Sequence, residues 1–201
     1  MERRVAVLAS GAGTNLQALL DDPVVGPRIA LVVSDRPDAY ALRRAADRGV
    51  DTLVLDPGTY GSRAAHDEAI LAALRDAVID VVVLAGYMRI VGREIVEAFR
   101  DRIVNVHPAL LPAFPGATAV ADALAHGVRV TGVTVHLVDE EVDHGPILAQ
   151  EAVPILDGDT VASLTERIHE VEHRVLPRAV AALLEDRVTV AGRRVAIGGP
   201  A

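Results

Sequence analysis

Residues 5–16 read VAVLASGAGTNL, and this stretch decides the fold. Its first part, Val5–Leu8, is an uninterrupted apolar run, typical of a strand buried on both faces of a parallel sheet. A glycine-rich turn from Ser10 to Asn15 follows and leads directly into a predicted helix. Backbone N–H groups at such a helix start form an anion site, and glycine lets a phosphate approach closely. The stretch therefore predicts an α/β fold with an anion-binding loop after its first strand.

The same alternation continues through the first two-thirds of the chain. Strands are predicted at Val5–Leu8, Ile29–Val33, Thr52–Leu55, Val81–Leu84 and Ile103–Val106. Helices are predicted at Asn15–Leu20, Ala39–Arg48, Arg63–Val78 and Gly92–Phe99. From Val130 a two-faced strand and a second strand at Ile147–Val153 indicate an antiparallel pair. A long helix follows from about Thr160 to Leu184, with a break at Pro177. Val188–Val190 and Val195–Ile197 then form a predicted hairpin. The pattern predicts one domain with a Rossmann-like, doubly wound, mostly parallel sheet, an antiparallel C-terminal strand region and a long C-terminal helix.

Composition excludes several classes of chemistry. The chain has 201 residues, no cysteine, and 20 cationic side chains that are all arginine, so thiolate metal sites, Schiff-base lysines and the P-loop lysine are absent. A net charge of −8 and 2% aromatic residues do not suit a nucleic-acid surface. No apolar run approaches the roughly 20 residues of a membrane helix. We therefore expect a cytoplasmic protein with no nucleic-acid or membrane partner.

Two other motifs suggest other functions. The glycine loop lacks the third glycine of the dinucleotide fingerprint, which is Leu16 here, but Asp35 lies where a ribose-binding acid would sit, so an oxidoreductase using Gly11, Gly13 and Asp35 stays open. His169 to His173 matches the H-E-x-x-H zinc-protease pattern. Helical phase places both histidines opposite the apolar stripe, facing solvent, which argues against a catalytic metal.

The segment Asn105-Val106-His107-Pro108 is the most informative for chemistry. Asn105 and His107 are two residues apart on a strand and therefore point to the same side. An amide that donates to a developing oxyanion, next to an imidazole that moves a proton, suits acyl transfer. Asp143, in a turn-rich segment, is the natural third member because a carboxylate would raise the pKa of His107. Spacing alone does not show that Asp143 meets His107.

Several motifs in order resemble the glycinamide ribonucleotide formyltransferases, a family of folate-dependent enzymes of purine biosynthesis. The resemblance runs from the Ser10 loop to about Pro177. It is carried by Ser10-Gly11-x-Gly13-Thr14-Asn15-Leu16, Ala85-Gly86-Tyr87-Met88-Arg89-Ile90, Asn105-x-His107-Pro108-x-Leu110-Leu111-Pro112, Val130-Thr131-Gly132-x-Thr134-Val135-His136, Asp143-x-Gly145-Pro146-Ile147 and Glu172-His173.

The resemblance implies a formyl transfer from 10-formyltetrahydrofolate to the amine of phosphoribosylglycinamide, without a metal, in a monomer or homodimer. It implies a catalytic trio of Asn105, His107 and Asp143, with protonated His107 assisting Asn105 at the oxyanion. Gly13, Thr14 and Asn15 would bind the substrate phosphate, and Glu172 the acceptor. The implied folate-binding residues are Arg63, Met88, Arg89, Ile90, Val91, Asn105, Asp139, Glu140, Glu141, Val142 and Asp143. Residues of about 1–100 would then form a phosphate-binding part of the 1–201 domain, and about 101–201 a folate and catalytic part.

The chain departs from the family pattern at two positions. Thr118 stands where the family usually carries a histidine, which puts outer support of Asp143 in doubt, and His144 replaces a smaller residue. His136 is interpreted as a structural strand histidine. The alternatives are a sugar-amine or other small-molecule formyltransferase and, from a different class, a non-catalytic nucleotide- or folate-binding protein. An aminoacyl-tRNA formyltransferase and a folate hydrolase fit less well, since each carries a further domain.

Overall fold

The computed structural model describes residues 2–199. The strands are β1 (Val5–Leu8), β2 (Ile29–Ser34), β3 (Asp51–Val54), β4 (Val81–Leu84), β5 (Ile103–His107), β6 (Val130–Leu137), β7 (Ile147–Pro154), β8 (Val188–Ala191) and β9 (Arg194–Ile197). The helices are α1 (Thr14–Asp21), α2 (Tyr40–Ala46), α3 (Arg63–Asp76), α4 (Arg93–Ala98), α5 (Ala119–His126) and α6 (Val161–Leu184). Seven strands form one sheet in the order β3-β2-β1-β4-β5-β6-β7, and β8 pairs with β9 separately.

The chain divides into two compact units, one ending at Val104 and the other beginning at Asn105. In the first unit β2, β1 and β4 lie side by side in parallel, and β3 extends the sheet beyond β2. Every side chain of β1 and β4 is buried, as expected for parallel strands that are covered on both faces. This buried centre places the turn after β1, which carries the glycine loop, at the carboxyl edge of the sheet.

The second unit is built on the antiparallel pair of β6 and β7. Helix α6 packs against both strands and against α5, through an apolar face that includes Leu164, Ile168 and Leu176. Thr160 caps α6: its hydroxyl accepts from the Ser163 N–H, while the Ser163 hydroxyl accepts from the Thr160 N–H. The β8–β9 hairpin follows α6, and β9 contacts β7.

The fold class predicted from the sequence is confirmed, and most predicted elements end within one or two residues of the observed ones. Two features differ from the expectations. The break expected at Pro177 is absent, because α6 runs unbroken for 24 residues and Leu176, Pro177 and Ala179 are all buried. Loss of one backbone hydrogen bond there is outweighed by the continuous buried face. Helix α5 was not predicted. No helix within residues 2–199 is long and apolar enough to cross a bilayer.

Candidate active site

The glycine loop of the first unit is held by α2. The Ala41 N–H donates to the Gly11 carbonyl at 3.1 Å, and the Arg44 Nε donates to the Ala12 carbonyl at 2.8 Å. Gly13 precedes α1 with φ of 69° and offers no side chain as a cap. The first N–H groups of an α-helix have no acceptor within the helix. The loop therefore leads into a helix start of the kind at which the sequence predicts an anion.

Replacing Gly13 with alanine is expected to destabilise the protein by about 1–3 kcal/mol. An added Cβ would lie 2.7 Å from the Ala41 Cβ and 2.8 Å from its Cα, and φ is positive at this residue. Gly11→Ala is the matched control, because a Cβ there meets nothing within 4 Å. Urea unfolding of both variants measures the difference, and equal stabilities would contradict the steric role of Gly13.

The other implied ligand residues of the first unit surround the segment after β4. Arg63 Nη2 donates to the Ile90 carbonyl at 3.0 Å. The Met88 N–H donates to the Ser10 hydroxyl at 2.9 Å, so this segment is tied to the glycine loop. Met88 and Ile90 are 71% and 60% exposed, whereas Val91 is buried. Two large apolar side chains open to solvent here suit contact with an aromatic ligand.

In the second unit, Asn105, His107 and Asp143 lie together. Asn105 and His107 point the same way from β5, as the strand period predicts. Asn105 Nδ2 is 3.4 Å from Asp143 Oδ1, and His107 Nδ1 is 3.4 Å from Asp143 Oδ2. The side chains of His107 and Asp143 are 5% and 9% exposed. The structure therefore brings together an amide, an imidazole and a carboxylate that are separated by up to 38 residues in sequence.

Both ring nitrogens of His107 face an oxygen that can only accept. Nε2 lies 2.8 Å from the Phe114 carbonyl and therefore carries the hydrogen of the neutral ring. Nδ1 faces the Asp143 carboxylate. Burial lowers the pKa of His107, while the Phe114 carbonyl and Asp143 oppose that shift. Asp143 raises the pKa of His107 as expected from the sequence, but burial has the larger effect and lowers it. The lowered pKa favours the neutral imidazole, in which the unprotonated Nδ1 faces Asp143.

His136 also lies in this cluster, a position that its interpretation as a structural strand histidine did not predict. Its Nδ1 is 2.9 Å from the Leu137 carbonyl and so bears a hydrogen. Its Nε2 lies 3.2 Å from Asn105 Nδ2 and 3.7 Å from Asp143 Oδ1. The alternation of the strand predicts that His136 shares a face with Thr134. The distance between the two strands along the chain does not show which residues of β5 lie beside it.

The environment of Asp143 strongly favours its ionised form. Its pKa is lowered to about 2, first by the contact with His136 and also by the Gly116 N–H, which donates to Oδ2 at 2.8 Å, against an opposing effect of burial. The backbone of Gly116 thus supports Asp143 in a chain that has Thr118 in place of the family's histidine. The Thr118 hydroxyl instead donates to Asp122 at 2.7 Å.

This pKa gives stability a definite acid dependence. A carboxyl whose pKa is lowered from 3.8 to about 2 by folding stabilises the native state above pH 3.8, and that contribution is lost as the pH falls through about 2. The full contribution is about 2 kcal/mol. The free energy of unfolding is measured with urea at a series of pH values from 6 downward. We expect it to fall less steeply with decreasing pH for Asp143→Asn than for wild type. Glu166→Gln, which removes an exposed carboxylate on α6, controls for charge. If the free energy of unfolding depended on pH in the same way for Asp143→Asn and wild type, the lowered pKa assigned to Asp143 would be contradicted.

A neutral hydrogen-bond network fixes the loop after His107. The buried Thr134 hydroxyl donates to the Ala109 carbonyl at 2.6 Å and accepts from the Leu111 N–H at 3.0 Å. Gln150 on β7 donates from Nε2 to the Leu111 carbonyl and to the Thr134 hydroxyl, both at 2.9 Å. Sequence reasoning did not find Thr134 or Gln150, because their partners are backbone groups of another element.

The remaining implied ligands lie on a turn and on α6. Residues 139–143 form the turn between β6 and β7; Glu140 and Val142 are exposed, and Asp139 is half-buried. Glu172 is buried, with 4% exposure, and its Oε2 is 4.0 Å from His169 Nε2.

The histidines of the H-E-x-x-H motif face solvent only in part. The His169 side chain is 41% exposed, and His169 and His173 are both half-buried, with stacked rings 6.0 Å apart. Within residues 2–199 no group of three or more acidic or histidine side chains is placed to hold a metal ion.

Comparisons with known proteins identify the family of this chain. The family model described as formyl transferase matches residues 3–180. Phosphoribosylglycinamide formyltransferase of Mycobacterium tuberculosis is 50% identical over 197 residues, covering 97% of this chain and 91% of the relative. The Bacillus subtilis protein of the same name is 40% identical, with 90% and 95% covered. The crystal structure of glycinamide ribonucleotide transformylase 1 from Symbiobacterium toebii has a TM-score of 0.95 at 52% identity, covering 98% of this chain and 94% of that one. This chain therefore belongs to the formyl transferase family.

Proposed function

We propose that this protein transfers the formyl group of 10-formyltetrahydrofolate to the amine of phosphoribosylglycinamide, a step of purine biosynthesis. The proposal rests chiefly on the buried cluster in which Asn105, His107 and Asp143 meet. It is supported by relatives that carry the name of this activity over nearly the whole chain.

The reaction needs no covalent nucleophile from the protein. The acceptor amine attacks the formyl carbon, a C–N bond forms, and negative charge develops on the formyl oxygen. The bond from that carbon to N10 of the folate then breaks. One proton leaves the amine and one reaches N10, so the products are the formamide and tetrahydrofolate.

Each member of the trio has a role that its contacts permit. Asn105 Nδ2 donates to the developing oxyanion, giving up its 3.4 Å contact with Asp143. His107 takes the amine proton at Nδ1 and, once protonated, adds positive charge beside the oxyanion. Asp143 stays ionised and stabilises the imidazolium. The carboxylate also orients a water that relays the proton toward the folate nitrogen.

The binding residues follow the same assignment. Gly13, Thr14 and Asn15 bind the phosphate through the start of α1, and Glu172 binds the acceptor. The folate is bound by Arg63, Met88, Arg89, Ile90, Val91, Asn105, Asp139, Glu140, Glu141, Val142 and Asp143. We assign residues 1–201 to one formyltransferase domain with a phosphate-binding part of about 1–100 and a folate and catalytic part of about 101–201.

The proposal extends to the setting of the reaction. The protein acts in the cytoplasm on small molecules, as a monomer or homodimer, without a metal, nucleic-acid or membrane partner.

The test is the absorbance change on loss of the formyl group from a 10-formyl folate analogue, with and without phosphoribosylglycinamide. We expect release that requires the acceptor and that falls to background in His107→Ala. Release without acceptor would indicate a hydrolase. Release only with an amino sugar would indicate the sugar-amine alternative, and binding of both ligands without release would indicate a non-catalytic protein.

A further inference from the structure

The C-terminal hairpin contacts the turn that carries Asp143. Arg193, at the tip between β8 and β9, places Nη2 2.7 Å from the His144 carbonyl and Nη1 2.8 Å from His144 Nε2. His144 Nδ1 in turn lies 2.7 Å from Asp139 Oδ2, and Asp139 Oδ1 accepts the Glu141 N–H at 3.0 Å. These contacts run from the hairpin across the whole segment 139–144.

Arg193 Nη1 lies 2.8 Å from His144 Nε2 and 3.3 Å from Nδ1, and a guanidinium can only donate. The Asp139 carboxylate, 2.7 Å from Nδ1, can only accept, so the hydrogen of the neutral ring lies on Nδ1 and Nε2 accepts from Arg193. Arg193 therefore selects one neutral tautomer of His144, and that tautomer makes the bond to Asp139. Loss of Arg193 removes the constraint on both the ring and the turn.

The segment has a reason to need such support. It carries four carboxylates, at Asp139, Glu140, Glu141 and Asp143, in five residues, and these repel one another. Asp143 also adopts φ of 52°, a conformation unfavourable for an aspartate outside a tight turn. Arg193 contributes the opposite charge on the exposed side of the segment, away from the buried cluster at Asp143.

We propose that Arg193, acting through His144, is a positioning residue for folate binding: it holds segment 139–144 in the conformation that contacts the folate. This rests on the proposed function, which assigns residues 139–143 to the folate. Arg193 itself touches none of the reacting atoms.

Steady-state kinetics of Arg193→Ala provide the first test. Loss of these half-exposed contacts is expected to raise the KM for the formyl folate about three- to tenfold, equivalent to about 0.6–1.4 kcal/mol, with the KM for the acceptor changed less than twofold. Arg194→Ala removes the same charge from the next residue of the hairpin and is expected to leave both constants near wild type. A folate KM for Arg193→Ala equal to that of Arg194→Ala would overturn the proposal.

A double-mutant cycle with His144→Ala tests the route through the imidazole. If Arg193 acts through His144, adding Arg193→Ala to His144→Ala changes the folate KM little further. Fully additive effects would overturn this route.

Hydrogen exchange on the ligand-free protein separates the two proposals. Arg193→Ala is expected to speed amide exchange in residues 139–145 several-fold, while Arg194→Ala does not. If wild type proves inactive in formyl transfer, the proposed function fails, and this measurement still decides whether Arg193 holds the segment. Unchanged exchange in Arg193→Ala would overturn the positioning role whatever the activity.

Discussion

Asp143→Asn is expected to lower kcat by about 10³-fold or more, within the range associated with general acid–base catalysis. The carboxylate faces His107 Nδ1 and His136 Nε2 and accepts the Gly116 N–H. An asparagine retains the shape but not the charge that stabilises a protonated His107. If the amide oxygen keeps the bond from the Gly116 N–H, the amide nitrogen replaces Oδ1 and faces the Asn105 Nδ2 donor.

The effect is measured as the single-turnover rate of formyl transfer with both substrates saturating, because that rate does not depend on substrate affinity. Asp157→Asn is a control in the same unit, because its carboxylate is 87% exposed in a surface ion pair with Arg129. Circular dichroism establishes that Asp143→Asn is folded. A folded variant with kcat within tenfold of wild type would remove Asp143 from the mechanism.

Asn105→Ala is expected to lower kcat by about two to three orders of magnitude, as loss of an oxyanion donor does. Asn105 Nδ2 is held between His136 Nε2 and Asp143 Oδ1, so the amide is oriented before substrate binds. The 3.4 Å contact with Asp143 is the weaker of the two and is the one that a substrate oxygen would replace.

Asn105→Asp separates donation from packing. It keeps the size of the side chain but has no N–H, so turnover should fall at least as far as in Asn105→Ala. The rate of the chemical step at saturating substrates is the quantity to compare. Turnover within threefold of wild type in Asn105→Ala would eliminate the oxyanion role.

The alternation of buried strands and helices made the fold predictable. Val5–Leu8 and Val81–Leu84 were predicted with their observed limits, because apolar runs bounded by turn residues are specific for buried parallel strands. Pro177 was misjudged because a local rule was applied where tertiary packing decides. Helix α5 escaped prediction because it has only eight residues and its buried side chains are the two small alanines Ala119 and Ala123.

Only those site residues that are close together in the sequence could be predicted to lie side by side. Asn105 and His107 share a strand, so their common direction follows from the strand period. Asp143 enters from a different turn, and only the fold can show that it lies beside His107. The place of His136 beside Asn105 and Asp143 could not be predicted for the same reason, since its neighbours across the sheet are not encoded in its own segment. Arg193 is the most distant case, 49 residues from its partner.

The network of Thr134 and Gln150 has a consequence for ionic conditions. Its hydrogen bonds join a hydroxyl, an amide and backbone groups, none of which titrates or carries a formal charge. The segment from Ala109 to Leu111 is therefore held by contacts that buffer and added electrolyte leave unchanged. The charged groups lie in the carboxylate and imidazole cluster, which holds Phe114 and Gly116, and in the turn that Arg193 contacts. We expect any dependence of turnover on ionic strength to originate in those groups, and rate measurements across salt concentrations would report on them.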